Sequence, residues 1–159
     1  MTRSLPDLWD EYGDLLQVAE PVFRDFGAIR AFHGPITTVR CHEDNQLVRS
    51  AFETPGEGRV LVVDGGGSLR RALVGDKIGS LMIRNGWAGV GVFGAVRDVE
   101  VLAGMPVAVR ALAAIPVQPH KRGVGERDVP VQFAGVRFVP GEWLYADENG
   151  LVTSPRPVH

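Results

Sequence analysis

The stretch from Val60 to Asp98 constrains the fold of this chain more than any other. It begins with the apolar run Val60 to Val63 and continues through a glycine turn and two predicted short helices. It ends with a second apolar run, Ala88 to Phe93, and a polar turn. Short apolar runs bounded by glycine and polar residues indicate buried strands. The stretch therefore predicts a strand–helix–strand unit of an α/β fold, with both strands central and covered on both faces.

Polar pairs stand at two places in this unit: Gly75-Asp76 lies between the predicted strands, and Arg97-Asp98 follows the second strand. Ligands of open α/β folds bind beyond the carboxyl ends of such strands, because polar side chains and helix N-termini converge there. Asp76 precedes apolar residues at helical spacing, so its simplest role is to cap a helix. The first amides of that helix would be free to bind an anion such as a carboxylate. These amides belong to Lys77, Ile78 and Gly79.

The spacing of the two pairs gives the pattern D-x20-R-D, because twenty residues separate Asp76 from Arg97 and Asp98 follows at once. On spacing alone, Arg97 and Asp98 are typical of an exposed ion pair. With this pattern the chain resembles the RraA-like family, which joins the regulator of ribonuclease E activity with the class II 4-hydroxy-4-methyl-2-oxoglutarate aldolases. The segments that resemble the family are EDNQLVRSAF at 43 to 52, VDGGGSLRRALVGD at 63 to 76, NGWAGVGVFGAVRD at 85 to 98 and GVGERDVPVQFAGVRFVPGEWLYADENG at 123 to 150.

The resemblance implies the α/β fold of that family, a swivelling β/β/α sandwich. We expect residues 1–159 to form one domain, because a chain of this length suits a single hydrophobic core. The resemblance also implies a ring-shaped homotrimer that can pair into a hexamer. Aromatic residues concentrate in interface cores, so Trp87, Phe133 and Trp143 are the predicted contacts between subunits.

The resemblance further assigns roles to the polar pairs. It implies that Arg97 binds a 2-oxo acid and that Asp98 holds a divalent metal, Mg²⁺ or Mn²⁺, through oxygen. It implies that the backbone of the segment Gly75, Asp76, Lys77 and Ile78 binds the substrate carboxylate, and that Asp76 orients metal-bound water. These residue types suit the chemistry, since Mg²⁺ and Mn²⁺ accept few carboxylates and several waters, and a cation on a 2-oxo acid favours an enolate.

Three functions compete on these residues. The first is a metal-dependent lyase that cleaves 4-hydroxy-4-methyl-2-oxoglutarate or decarboxylates oxaloacetate, with a pyruvate enolate as the shared intermediate. The second is a non-catalytic regulator that binds and inhibits ribonuclease E. Such a regulator has no need of a metal-holding pair such as Asp76 and Asp98. The third is a methyltransferase of menaquinone synthesis. It is disfavoured because no acid ends the strand after the glycine turn Gly65-Gly66-Gly67 to hold a ribose.

Composition excludes several other classes of protein. A net charge of −2 without a long basic run argues against a nucleic-acid partner. No apolar run approaches the roughly 18 residues of a membrane span, and a polar segment follows Met1 where a signal peptide would be apolar. The single cysteine, Cys41, cannot form an internal disulfide and is predicted to be a small core residue. These features predict a cytoplasmic location.

Five further segments have predicted structures. Leu5 to Glu20 is predicted to be a helix and a turn, Ile36 to Cys41 a strand, and Gln46 to Phe52 a helix capped by the preceding Asp44 or Asn45. Ile115 to Arg127 is predicted to be a functional or covering loop, and its Glu126 is the one candidate for an additional acid at the site. Ser154 to His159 is predicted to be a frayed tail.

Overall fold

A computed structural model describes residues 3–159 of the chain. The helices within this range are α1 (Leu5–Tyr12), α2 (Gln46–Phe52), α3 (Asp76–Arg84) and α4 (Val99–Leu102), with a 3₁₀ turn at Gly13–Leu15. The strands are β1 (Gln17–Val18), β2 (Arg24–Asp25), β3 (Phe32–Arg40), β4 (Val60–Asp64), β5 (Ala72–Val74), β6 (Gly89–Phe93), β7 (Ala95–Val96), β8 (Val109–Ala111), β9 (Ala113–Ala114), β10 (Glu126–Arg127), β11 (Val131–Phe133), β12 (Val136–Phe138), β13 (Trp143–Asp147) and β14 (Gly150–Ser154).

The main sheet has the strand order β1-β14-β13-β3-β4-β6-β8-β2, and β10 pairs with β3. The central strands β3, β4, β6 and β8 are parallel, and the outer pairings are antiparallel. A small parallel sheet, β5-β7-β9, and the hairpin β11-β12 complete the structure. The predicted α/β class with β4 and β6 at the centre is therefore confirmed.

Side chains of β4 alternate between two hydrophobic cores. Leu61 and Val63 pack in the core under α2 and α3, whereas Val60 and Val62 pack in the core that includes the β11-β12 hairpin. All four are almost completely buried, as a strand covered on both faces requires. In β6, a β carbon on Gly89 would lie 2.6 Å from the Phe32 ring, so a close approach explains this glycine.

Several sequence predictions are wrong in detail. Only one helix, α3, lies between β4 and β6, because residues 72 to 74 pair with β7 as a strand and not as a second helix. The N-terminal helix ends at Tyr12, well before Glu20. The predicted tail is ordered: the Val158 amide donates a hydrogen bond to the Tyr145 hydroxyl at 2.9 Å, and Val158 is buried.

Two of the three aromatic residues predicted at a subunit interface are buried inside the protomer. Trp87 packs edge-on against Phe52 and donates a hydrogen bond to the Thr54 carbonyl, and Phe133 stacks within the second core. Trp143 is partly exposed. The prediction is therefore wrong for Trp87 and Phe133, because large aromatic side chains fill the core of a domain as readily as an interface. Across residues 3–159, no helix is long and apolar enough to cross a membrane.

Candidate functional site

Two adjacent parallel strands bring the polar pairs together. Val74 of β5 lies opposite Val96 of β7, and the amide of Arg97 donates a hydrogen bond to the Val74 carbonyl at 2.9 Å. Gly75 and Arg97 therefore leave the same edge of the small sheet side by side. Their neighbours Asp76 and Asp98 start α3 and α4.

Asp98 joins the two pairs. Its Oδ2 accepts a hydrogen bond from the backbone amide of Asp76 at 3.2 Å, and its Oδ1 lies 3.7 Å from Nε of Arg97. Asp98 adopts the left-handed conformation, with φ +57° and ψ +37°, which aspartate and asparagine tolerate better than most residues. The turn therefore aims the carboxylate back at the start of α3 and at the guanidinium beside it.

Gly75 makes this arrangement possible. A β carbon at this position would lie 2.6 Å from Oδ2 of Asp98 and 3.2 Å from Cγ of Arg97. Gly75 is also the N-cap of α3, and Asp76 is the first residue of this helix. No side chain forms a capping hydrogen bond at the N-cap position. The prediction that Asp76 caps the helix is therefore wrong, although its carboxylate lies in the first turn, where the helix dipole stabilises negative charge.

Two of the three predicted anion-binding amides are available. The Gly79 amide donates to the Gly75 carbonyl at 3.0 Å, so it is part of the helix and is not free. Within residues 3–159, the amides of Lys77 and Ile78 donate no hydrogen bond to a backbone carbonyl at the start of α3. Two adjacent free amides at a helix N-terminus can bind one carboxylate.

A cavity of about 130 Å³ opens at these residues. At roughly 30 Å³ for each water in the liquid, it has room for about four waters or a small organic acid. A larger groove of about 510 Å³, between α1 and the β14 side of the main sheet, shares no residue with it. The cavity is lined by Asn45, Arg49, Gly75, Asp76, Lys77, Ile78, Arg97, Asp98, Gln118, Pro119 and Lys121.

The lining includes the six residues to which the resemblance assigns roles, and also side chains that the sequence analysis missed. Asn45 donates a hydrogen bond from Nδ2 to the Leu73 carbonyl at 3.1 Å, which ties the start of α2 to β5. Arg49 lies four residues later, on the same face of the helix as Asn45. In the sequence, the i, i+4 spacing of Asn45 and Arg49 indicates that the two side chains share one face of α2. Helix capping is a sufficient role for Asn45, so this spacing alone does not predict a binding site.

The predicted loop from Ile115 to Arg127 reaches the cavity because Asp44 holds it. The carboxylate of Asp44 accepts hydrogen bonds from the amides of Gln46 at 3.1 Å, Arg122 at 2.8 Å and Gly123 at 3.2 Å. Burial favours the neutral acid, but these amide hydrogen bonds outweigh it and hold the pKa of Asp44 below its usual value. Asp44 therefore fixes the loop that contains Lys121 against the start of α2.

A divalent cation would find few protein ligands here. Asp98 and Asp76 are the carboxylates of the cavity, and no group of three His, Cys, Asp or Glu side chains could hold a metal ion in residues 3–159. Mg²⁺ is commonly held by one or two carboxylates together with waters and substrate oxygens, so this donor set fits it. Glu126, the candidate additional acid, instead pairs with Arg40 at 2.8 Å and does not line the cavity.

Other sequence features have structural roles. Cys41 is buried, and its burial raises the pKa of the thiol to about 12, so it is a core residue as predicted. The glycine turn folds onto β6, because the amides of Gly65 and Gly67 both donate to the Phe93 carbonyl at 3.1 Å. These amides are therefore not free to bind a cofactor.

Comparison with known proteins identifies close relatives. The model of the RraA-like family, described as Aldolase/RraA, matches residues 2–153. A protein of Xanthomonas campestris pv. campestris (strain 8004) is 58% identical over 158 residues, which cover 99% of this chain and 95% of that protein. A protein of Ectopseudomonas mendocina (strain ymp) is 54% identical over 95% of this chain and 93% of its own length. Both are named "Putative 4-hydroxy-4-methyl-2-oxoglutarate aldolase".

Two solved structures have the same fold, each with a TM-score of 0.96. One, from Geobacillus kaustophilus HTA426, is described as S-adenosylmethionine: 2-dimethylmenaquinone methyltransferase; it is 45% identical and covers 98% of this chain and 97% of its own. The other, from Thermus thermophilis, is described as the RNA-processing inhibitor RraA; it is 46% identical and covers 100% of this chain and 96% of its own. These similarities confirm the predicted fold.

Proposed function

This chain belongs to the RraA-like family, and we propose that it is a divalent-metal-dependent carbon–carbon lyase acting on 2-oxo acids. The proposed reactions are aldol cleavage of 4-hydroxy-4-methyl-2-oxoglutarate and decarboxylation of oxaloacetate, both through a pyruvate enolate. The observation that supports this most directly is the convergence of Asp98, Arg97 and the amides of Lys77 and Ile78 on one small cavity. The names of the relatives favour the same reaction class.

The substrate carboxylate is proposed to bind at the start of α3. The amides of Lys77 and Ile78 would donate hydrogen bonds to an anion there, and the helix dipole adds partial positive charge. Arg97 reaches the same cavity from the end of β7, and its guanidinium can form charge-assisted hydrogen bonds to a carboxylate or an oxyanion. The 2-oxo acid would therefore be fixed in one orientation before a bond breaks.

Asp98 is the proposed metal ligand, with Asp76 close to it. A divalent cation bound there would withdraw electrons from the 2-oxo group and so favour an enolate. Arg97 would stabilise the negative charge that develops on the same oxygen. In aldol cleavage, Asp76 would accept the proton of the 4-hydroxyl group through a water as the C3–C4 bond breaks, and would return a proton to C3 of the pyruvate enolate.

A second candidate function is the binding and inhibition of a ribonuclease such as ribonuclease E. Its support is the 46% identity with the Thermus protein described as an RNA-processing inhibitor. A pure inhibitor has no need of a carboxylate beside free amides in a small cavity, so we favour the lyase. A methyltransferase is disfavoured, because the amides of the glycine turn donate to the Phe93 carbonyl and β6 ends at Phe93 rather than at an acid.

We also propose that the protein is a homotrimer, which can pair into a hexamer. The contacts cannot be those of Trp87 and Phe133, because both side chains lie in the protomer core. Light scattering at micromolar concentration should give three or six times the mass of one chain. A monomer mass would contradict the proposal.

The lyase proposal can be tested with purified protein and oxaloacetate. Protein with Mg²⁺ should release CO₂ faster than the same concentration of free Mg²⁺, and chelation should abolish the difference. Calorimetry should show that oxalate, a mimic of the pyruvate enolate, binds only when Mg²⁺ is present. Turnover equal to that of free Mg²⁺, with no metal-linked oxalate binding, would favour the inhibitor.

Arg97→Ala should lower turnover and weaken oxalate binding together. The loss of one charge-assisted donor to a developing oxyanion typically costs about 10²- to 10³-fold in rate. Arg137→Ala is the matched control, because Arg137 is exposed on β12 and does not line the cavity. Equal activity in the two variants would argue against a catalytic role for Arg97.

A further inference from the structure

The larger groove has the size and the apolar walls of a ligand site. Its volume of about 510 Å³ lies within the roughly 300 to 1,000 Å³ of small-molecule sites. Apolar side chains of α1, β1, β14 and the segment before β2 form most of the walls. Two of them, Trp9 and Val18, are 50% and 52% exposed. Exposed apolar side chains that gather on one concave surface are typical of a binding groove, whereas single ones are ordinary.

The cation of this groove is bound within the protein. Among residues 3–159, Arg110 is the one basic residue of the lining, and it is only 4% exposed. Its guanidinium pairs with the Asp25 carboxylate and donates to the carbonyls of Arg30 at 2.8 Å and Asp147 at 2.7 Å. It also donates to the Gly150 carbonyl at 3.3 Å. Arg110 is therefore not available to an anion in the groove.

Two acids of the lining have no such partner. Glu20 lies two residues after β1, and Glu148 lies in the turn between β13 and β14. Both residues are exposed, and neither forms an ion pair with any residue from 3 to 159. The three carboxylates of the lining, with Asp25 included, and its one cation give the groove a net charge of −2. The groove is therefore apolar with a negative rim.

We propose that this groove binds a small organic cation with an aromatic body, such as an arylalkyl amine. The body would pack against Trp9, Val18 and Leu151, and the ammonium group would lie at the rim beside Glu20 or Glu148. The face of an indole also attracts a cation. This site is independent of the proposed lyase, because the groove and the 2-oxo acid cavity share no lining residue.

The walls and the rim have different effects on binding. Removal of apolar surface from water supplies most of the affinity, and it does not depend on the charge of the ligand. The two acids determine which charge is preferred. Because both acids are exposed, salt screens their attraction for a cation. The preference for a cation should therefore shrink at high salt, while the affinity for a neutral ligand of the same shape should not fall.

Three probes with a phenyl ring on a three-carbon chain separate charge from apolar contact. At pH 7, 3-phenylpropylamine is a cation, 3-phenylpropan-1-ol is neutral and 3-phenylpropanoate is an anion. NMR of the nitrogen-15-labelled protein can follow the indole N–H of Trp9, one of three tryptophans. At low salt the amine should shift this signal saturably and bind about three- to tenfold more tightly than the alcohol, since each exposed ion pair is weak. The carboxylate should bind least tightly.

Variants of the rim and the wall should act differently. Glu20→Gln combined with Glu148→Gln should reduce the affinity for the amine to that for the alcohol and leave the alcohol unaffected. Trp9→Ala should weaken the binding of all three probes, followed by calorimetry. Glu53→Gln is the matched control, because Glu53 is exposed at the end of α2 and does not line the groove. Metal-linked oxalate binding should be the same in the double variant as in the wild type.

Several results would overturn the proposal. One is equal binding of the three probes by the wild-type protein, and another is a preference for the amine that persists in the double variant. A third is the absence of any saturable shift of the Trp9 signal. If Trp9→Ala also reduced the assembly to a monomer in light scattering, the occupant of the groove would be a second copy of this chain. Failure of the oxaloacetate assay would remove the lyase and leave the groove site in place.

Discussion

The carboxylate of Asp98 accepts a hydrogen bond from the backbone amide of Asp76 at 3.2 Å. The two residues are far apart in sequence and meet because β5 and β7 are neighbours in a parallel sheet. The hydrogen bond uses the first amide of α3, so the next two amides, of Lys77 and Ile78, are left for a ligand. One contact thus determines both where the carboxylate of Asp98 points and which amides face the cavity.

Gly75→Ala should remove this contact without unfolding the protein. The new β carbon would lie 2.6 Å from Oδ2 of Asp98, so the flexible carboxylate must move away from the Asp76 amide. Metal-linked oxalate binding should fall at least tenfold, while the melting temperature changes little. Calorimetry and a thermal melt measure the two quantities.

Gly91→Ala is the control for the glycine test. Gly91 lies in buried β6, but a β carbon there would have no atom within 4 Å. This variant should keep both its oxalate affinity and its melting temperature. If Gly75→Ala also kept its oxalate affinity, the position of Asp98 would not matter for binding.

Asp98→Asn should abolish metal-dependent activity and keep the fold. Asparagine tolerates the left-handed φ of +57° at this position. Its side-chain oxygen can still accept a hydrogen bond from the backbone amide of Asp76. The amide side chain has no negative charge to hold a divalent cation. Oxaloacetate decarboxylation should therefore fall to the rate of free Mg²⁺, with an unchanged circular dichroism spectrum. Retention of more than half of the wild-type rate would exclude Asp98 as the metal ligand.

Asp76→Asn separates a catalytic acid from a helix-stabilising one. Gly75 is the N-cap of α3. The Asp76→Asn variant would therefore lose only the attraction between the Asp76 carboxylate and the helix dipole, about 0.3 to 1 kcal/mol. That corresponds to roughly 1 to 4 °C in melting temperature for a domain of this size. If Asp76 transfers a proton, the rate should drop at least tenfold. A small thermal shift with full activity would mean that Asp76 only stabilises α3.

Much of this site could be predicted from the sequence because its main residues are close to strand ends. The apolar runs at Val60 to Val63 and Ala88 to Phe93 indicate central strands. The polar pairs Gly75-Asp76 and Arg97-Asp98 are predicted to be site residues because of where they lie relative to those strands. The family pattern then relates Asp76 to Arg97 and Asp98. The structure adds their packing, including the close approach of Gly75 that no residue pattern describes.

The rest of the site depends on contacts between distant segments. Lys121 reaches the cavity only because Asp44 binds the amides of Arg122 and Gly123. Local reasoning assigns Asp44 to the helix that follows it, and the amide of Gln46 does donate to it. The two further hydrogen bonds come from residues nearly eighty positions away. Similarly, β5 is too short to be distinguished from a helix by periodicity alone.

Cys41 should not react with thiol reagents in the folded protein. Burial raises the pKa of its thiol to about 12, so the reactive thiolate is scarce at neutral pH, and the side chain is buried. Ellman's reagent at pH 8 should therefore label the native protein very slowly and label one thiol per chain after denaturation. Rapid labelling of the native protein would show that β3 opens at its end.

Asp44→Asn should destabilise the protein, and the effect should depend on pH. The variant weakens the charge-assisted hydrogen bonds to the amides of Gln46, Arg122 and Gly123. Such bonds contribute about 1.5 to 3 kcal/mol each. A loss of about 2 to 3 kcal/mol would lower the melting temperature by roughly 4 to 12 °C at pH 7.

The pH dependence follows from the lowered pKa of the Asp44 carboxyl group in the folded protein. A depressed pKa contributes stability that is present above the unfolded-state value, about 3.9, and is lost as the pH falls through the folded-state value. The difference in melting temperature between wild type and Asp44→Asn should therefore be constant from pH 8 to pH 5 and shrink below about pH 4. Asp10→Asn is the control, because Asp10 is exposed on α1. A difference that stayed constant down to pH 3, or an equal effect of Asp10→Asn, would show that the charge of Asp44 does not hold the loop.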